Sequence, residues 1–140
     1  MASVNFFSQK PRFKLSAPKK TSSWIRRVIK AEGKSLVELN FIFCTDDYLR
    51  EINIEFLNHK TFTDIITFNY NPSEHEIEGE IYISIDRVRE NAKDFKTDFP
   101  TELNRVIIHG VLHLLGYNDK TKPEKAVMRE KEDACLSLWK

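Results

Sequence analysis

The stretch from Leu103 to Asp119, LNRVIIHGVLHLLGYND, constrains this chain more than any other. Leu103, Val106, Ile107, Val111, Leu114 and Leu115 recur at helical spacing and form a broad apolar face, while Ile108 and Leu112 make the opposite side apolar as well. A helix greasy nearly all round is buried, so the rest of the chain has to wrap it. Within it His109 and His113 stand four residues apart, which puts both imidazoles on one edge, in reach of a single ion on a cleft floor. The third ligand must approach from another direction. Gly116 tolerates positive φ and can end the helix, so residues 117–119 can fold back and bring the Asp119 carboxylate to the same metal. The zinc-peptidase pattern H-E-x-x-H places its general base directly after the first histidine, and here that place is Gly110. The spacing therefore points to a metal-dependent hydrolysis other than peptide cleavage, with a pair of structural histidines as the plainer alternative.

At 140 residues the chain is the size of one domain, and residues 1–140 are read as a single metal-dependent hydrolase domain with one core. Four glycines and five prolines leave little room for disordered linkers. No apolar stretch approaches the ~20 residues that span a bilayer, and no signal-like apolar run opens the chain. Cys44 and Cys135 have no neighbours at metal-ligand spacing and read as buried, reduced thiols, which suits a cytoplasmic protein without membrane association. The formal net charge of +1 conceals a segregation: residues 1–31 carry eight Lys or Arg and no Asp or Glu, leaving 14 basic against 21 acidic residues in the remainder, a net of −7. A polyanion would be held by such a protein on one side only.

Along the chain, Val4–Phe7 and Arg12–Leu15 read as extended. Thr21, Ser22 and Ser23 offer N-caps to a helix with Trp24, Val28 and Ile29 on one side, ended by Gly33. Leu36–Cys44 alternates and then turns apolar as a strand entering a core. Thr45 or Asp46 can cap a short helix through Tyr48, Leu49 and Ile52. Asn58–Phe62 reads as a loop, Thr63–Tyr70 as a strand, NPSEHEIEG as a turn-rich connection, and Glu80–Ile85 as an antiparallel neighbour. Asp86 caps the next helix, Pro100 sits near the start of the buried one, and an amphipathic helix runs from about Pro123 to Leu138, packing on the sheet or helix beside it. The fold class is α/β (α+β), one small mixed four-stranded sheet with about five helices and a buried central metal-site helix.

HGVLHLLGYND, preceded by TDIITF and GEIYISIDRVRENA, resembles the YbeY family of endoribonucleases and rRNA maturation factors, whose pattern is approximately LN-x(9)-TDVLSF, GDI-x-I and HG-x-LH-L-x-GYDH. Ile52 and Asn53 take the LN place, Thr63–Phe68 the TDVLSF place and Gly79–Ile81 the GDI place, with the order and spacing of the blocks kept across about residues 35–137. The resemblance implies a zinc-dependent, single-strand-specific endoribonuclease in rRNA processing and ribosome quality control, acting on rRNA and associated with the small ribosomal subunit. Two positions depart from the pattern. Asp119 replaces the family's third histidine, and the family's loop arginine falls at Leu57, leaving His59 and Lys60 as the nearest polar side chains.

Phosphodiester cleavage needs a nucleophile and something to neutralise charge on the phosphoryl oxygens. One Zn2+ per chain, bound by His109, His113 and Asp119 as both metal ligands and catalytic residues, would supply both, and the carboxylate should make bound water less acidic than at a three-histidine site. Asp64, Glu80 or the RNA 2′-OH would then carry the proton chemistry; structurally, the two carboxylates read as caps or ion-pair partners. Phe56 and Tyr70 are expected in the core rather than stacked on bases, and His75 exposed in a loop. A noncatalytic ribosome assembly factor with a structural metal is the alternative function, and a metallopeptidase the third.

Overall fold

The computed structural model describes residues 2–9, 12–57 and 63–139. Its elements run β1 (Ser3–Ser8), α1 (Pro18–Ala31), β2 (Ser35–Cys44), α2 (Asp46–Leu57), β3 (Ile65–Asn69), β4 (Glu76–Ser84), α3 (Ile85–Asp94), α4 (Phe99–Leu114) and α5 (Lys122–Ser137). The strands form one mixed sheet in the order β1-β2-β4-β3, with β1/β2 and β2/β4 parallel and β3/β4 antiparallel. Parallel neighbours need long crossovers, and α1 and the α2–β3 excursion provide them. The α+β class and the four-stranded mixed sheet expected above are both present.

The period of two along β2 and β4 sorts their side chains. Leu39, Phe41, Phe43, Ile77, Ile81 and Ile83 point to one face and are fully buried, against Trp24, Ile25 and Ile29 of α1 and Ile107, Val111 and Leu112 of α4. Glu38, Asn40, Glu78, Glu80 and Tyr82 alternate with them on the outer face. A second, smaller apolar cluster lies there, where Leu49 and Ile52 of α2 cover Cys44 and Ile66.

α4 is buried as its composition requires, between the sheet and α5. The approach is closest at Gly110, where a Cβ would come within 2.9 Å of Ile65 Cδ1 and 3.0 Å of Ile81 Cγ2. The residue that excludes a peptidase base is thus also the contact that lets the helix settle on β3 and β4. Gly79 meets the same helix from below, since a Cβ there would lie 2.5 Å from the Phe68 carbonyl oxygen and 3.1 Å from Leu114 Cδ1.

Several local expectations are corrected. Arg12–Leu15 is not a strand but an irregular connection. α1 begins at Pro18, with no side-chain cap at Ala17, because proline is already set for the first helical turn and Thr21 instead donates its hydroxyl to the Ala17 carbonyl at 2.8 Å. The cap of α3 is Ser84, whose Oγ accepts from the Arg87 amide at 3.1 Å, while Asp86 accepts from the Asp46 amide at 2.9 Å. At α2 the Thr45 hydroxyl accepts from the Tyr48 amide. β4 starts at Glu76, inside what reads as a loop, since its acidic residues alternate outward from buried Ile77. α5 packs on α4 behind a capping box of Thr121 and Glu124.

Candidate metal centre

α4 carries His109 and His113 one turn apart, with the rings in edge contact at 4.5 Å between centroids. The helix stops at Leu114 and the chain reverses at Gly116, which adopts φ +107°, a conformation that favours glycine. The Gly116 amide donates to the His113 carbonyl and the Tyr117 amide to the Leu112 carbonyl, both at 3.0 Å. The Tyr117 hydroxyl then donates to Glu32 at the end of α1 at 2.7 Å, and Lys131 of α5 donates to the other Glu32 oxygen at 2.9 Å. The returning loop is therefore tied to two helices before it reaches Asp119.

Asp119 Oδ2 lies 3.2 Å from His109 Nε2 and 3.4 Å from His113 Nε2, and the two nitrogens are 3.0 Å apart. An ion about 2.0–2.2 Å from three tetrahedral ligands sets the edges between them at roughly 3.3–3.6 Å. The His113–Asp119 edge already fits, the two edges to His109 are slightly shorter, and a small outward movement of His109 would admit a metal ion. The shorter aspartate needs no bridging water to reach the histidines, because the loop brings it to their distance. These three side chains form a group able to hold a metal ion.

One neighbour of the site is not reached by the sequence reading. Glu132 of α5, 5% exposed, places Oε2 at 2.6 Å from His109 Nδ1, and its Oε1 accepts from Arg105 at 2.9 Å. With Nδ1–H donating to this carboxylate, a neutral His109 would present its Nε2 lone pair to the cleft. Its signal was present: Met128, Glu132 and Cys135 share the buried stripe of α5, and a carboxylate on such a stripe calls for partners. Burial disfavours charge on His109, but the Glu132 hydrogen bond and the surrounding carboxylates outweigh it and raise the group above its ordinary value. His113 is pushed down, first by burial and then by the charge of His109. Burial raises Glu132, while His109 and Arg105 more than reverse this and hold it below the usual carboxylate range.

The triad opens on a cleft of about 720 Å³ bounded by α2, β3 and α4. Asp64 stands on its wall, accepting from Asn91 Nδ2 at 3.1 Å, and burial pushes its carboxyl up despite the pull of His109. Buried Asn53, at the LN place of the resemblance, also lines the cleft, as does Lys120, which was not singled out from sequence. Leu57, at the family's arginine place, lines it too, whereas His59 and Lys60 lie outside the described residues. Glu80 is on the outer face of the sheet, accepting from the Tyr70 hydroxyl at 3.1 Å, and has no place in the cleft. Phe56 and Tyr70, expected in the core, are 61% and 53% exposed on that same outer side. His75 is exposed, as expected.

Comparison with known proteins bears on this geometry. Residues 6–140 match the family model described as Endoribonuclease YbeY. A relative of that name from Amoebophilus asiaticus is 52% identical over 135 residues, spanning 96% of this chain and 92% of its own length. Another, from Flavobacterium psychrophilum, is 56% identical over 117 residues, covering 84% of this chain and 83% of the relative. The solution structure of TM1509 from Thermotoga maritima superposes with a TM-score of 0.68 at 28% identity, covering 97% of this chain and 88% of that one.

Proposed function

The chain belongs to the YbeY endoribonuclease family, and from that premise we propose that it is a zinc-dependent endoribonuclease cutting single-stranded RNA during rRNA maturation. His109, His113 and Asp119 would hold one zinc ion per chain, and residues 1–140 would act as a single hydrolase domain. The observation that carries this reading is the convergence of three ligand atoms at 3.0–3.4 Å on the floor of a cleft, with the first histidine oriented by a buried carboxylate. Bound there, zinc supplies a Lewis acid for a phosphoryl oxygen and lowers the pKa of water toward neutrality.

The chain's own residues do the rest. Glu132 holds His109 in the tautomer that presents Nε2 to the cleft. Asp64, whose carboxyl keeps its proton more readily than an exposed aspartate, can take a proton at a carboxylate oxygen from the attacking hydroxyl and return it to the leaving oxygen. Glu80 is too far round the sheet for that task, so Asp64 and the RNA 2′-OH remain of the three proton carriers considered. Lys120 places a cation on the cleft wall, where Leu57 gives none, and can meet a phosphate. Gly110 has no carboxylate, which disfavours a peptidase. Association with the small ribosomal subunit, a part in ribosome quality control and a cytoplasmic location complete the proposal; Cys44 and Cys135, both buried and unpaired, suit a reducing compartment.

The test is His109→Ala, assayed for zinc content, cleavage of a single-stranded RNA and thermal unfolding. Folded protein that has lost metal and cleavage supports catalysis. Cooperative unfolding lost along with the metal favours the noncatalytic assembly factor, and cleavage retained without metal ends the zinc mechanism.

A further inference from the structure

The wall between the cleft and solvent has a second side. Along β3, Ile65, Thr67 and Asn69 line the metal cleft, and the alternation of the strand sends Phe68, and Tyr70 just past its end, the other way. On α2, Asn53 and Leu57 face the cleft while Ile52 and Phe56 face outward. The outward side forms a groove of about 420 Å³, walled by five aromatic rings, those of Tyr48, Phe56, Phe68, Tyr70 and Tyr82. Three of the rings touch: Phe68 makes edge contacts with Phe56 at 5.7 Å and with Tyr82 at 5.8 Å between centroids. Three carboxylates, Glu51, Glu55 and Glu80, stand among them, and the Tyr70 hydroxyl donates to Glu80. No lysine or arginine lines the groove among the described residues.

We propose that this groove, which sets five aromatic rings beside three carboxylates on the outer side of the α2–β3 wall, docks an arginine- or lysine-bearing segment of a protein partner. Aromatic faces attract a guanidinium or ammonium, and carboxylates at the rim pair with it, so both components of the groove select the same charge. A nucleic acid would find rings on which to stack, but its phosphates would meet three carboxylates and, among the described residues, no cation. Charge complementarity thus chooses a basic polypeptide. A partner seated there would lean on α2 and β3, the two elements whose other faces form the cleft wall, and could set the position of bound RNA without touching the metal.

A hexa-arginine peptide titrated into the full chain at low salt, followed by NMR, tests this. The expected result is shifts concentrated on the five rings, with affinity falling at least about threefold for Phe56→Ala and for Tyr70→Leu. The double change Glu51→Gln with Glu55→Gln should weaken binding about tenfold, while Glu130→Gln, on exposed α5 surface, should leave it unchanged. Phe56 and Tyr70 are mostly exposed, so their variants should fold, and their melting curves check it. Binding that ignores the two ring variants, or that falls equally with Glu130→Gln, reduces the effect to general charge attraction and overturns the proposal. Oligouridylate shifting the same rings while the peptide does not would make the groove a base-stacking surface and overturn it equally.

Discussion

Among single residues, Asp119 and Glu132 decide what the site can hold. Asp119 reaches both imidazoles with one oxygen, so Asp119→Ala should weaken zinc binding at least about tenfold, Asp119→Asn less, and Asp119→His should retain metal. Competitive chelator titration of the three variants reads this out; alanine binding as tightly as the parent while His113→Ala does not would reduce the protein ligands to the two on α4. Glu132 acts one bond further out, through His109 Nδ1. Glu132→Gln keeps an acceptor for that proton but loses the charge, so it should bind zinc more weakly than the parent and more tightly than Glu132→Ala, whose loss should fall within about 10- to 100-fold. The visible spectrum of the cobalt-substituted protein should shift in both, a change that loosened packing alone would not produce.

Among the elements, the junction of α1, α5 and the returning loop holds the third ligand in place. Glu32 accepts from Tyr117 and from Lys131, so one side chain joins all three. Burial works to raise its carboxyl, but these partners prevail and hold it below its ordinary value of 4.5. A carboxyl depressed in the fold stabilises the protein above the unfolded-state value, and that stability is lost as pH falls through the folded value. Glu32→Gln should therefore cost about 1 kcal/mol at neutral pH, discounted for partial exposure, and the gap to the parent should close below about pH 4.5. Urea midpoints measured from neutral pH to about pH 3 check the sign. No gap at neutral pH would mean the Glu32 contacts contribute nothing to stability, and a gap that widens on acidification would reverse the predicted sign.

For the whole molecule, charge is divided between two surfaces. Lys19, Lys20, Arg26, Arg27 and Lys30 are exposed on α1, while Glu38, Glu78 and Glu80 are carried by the outer sheet face. If three or four of the basic residues meet phosphates, single-stranded RNA affinity should fall with salt at a log-log slope of roughly −2 to −3, and neutralising Arg26 and Arg27 should flatten it. An unchanged slope would make the basic face ordinary solvated surface. The sequence alone determined the buried character of α4, its two imidazoles on one edge and the strand alternation, because each is a repeat within one segment, written by 3.6- or 2-residue geometry, and the reversal at Gly116, because glycine alone readily takes its positive φ. The starts of α1 at Pro18 and of α3 behind Ser84 differ from the sequence expectation because several neighbouring residues satisfy the same rule and packing chooses among them. Only the tertiary structure decided that Glu132 meets His109, that Asp64 and Lys120 share the cleft, and that Phe56 and Tyr70 open outward with Glu80. Each of these joins elements distant in the chain, and how two elements lie against one another depends on the surfaces both bury, which no period within either one encodes.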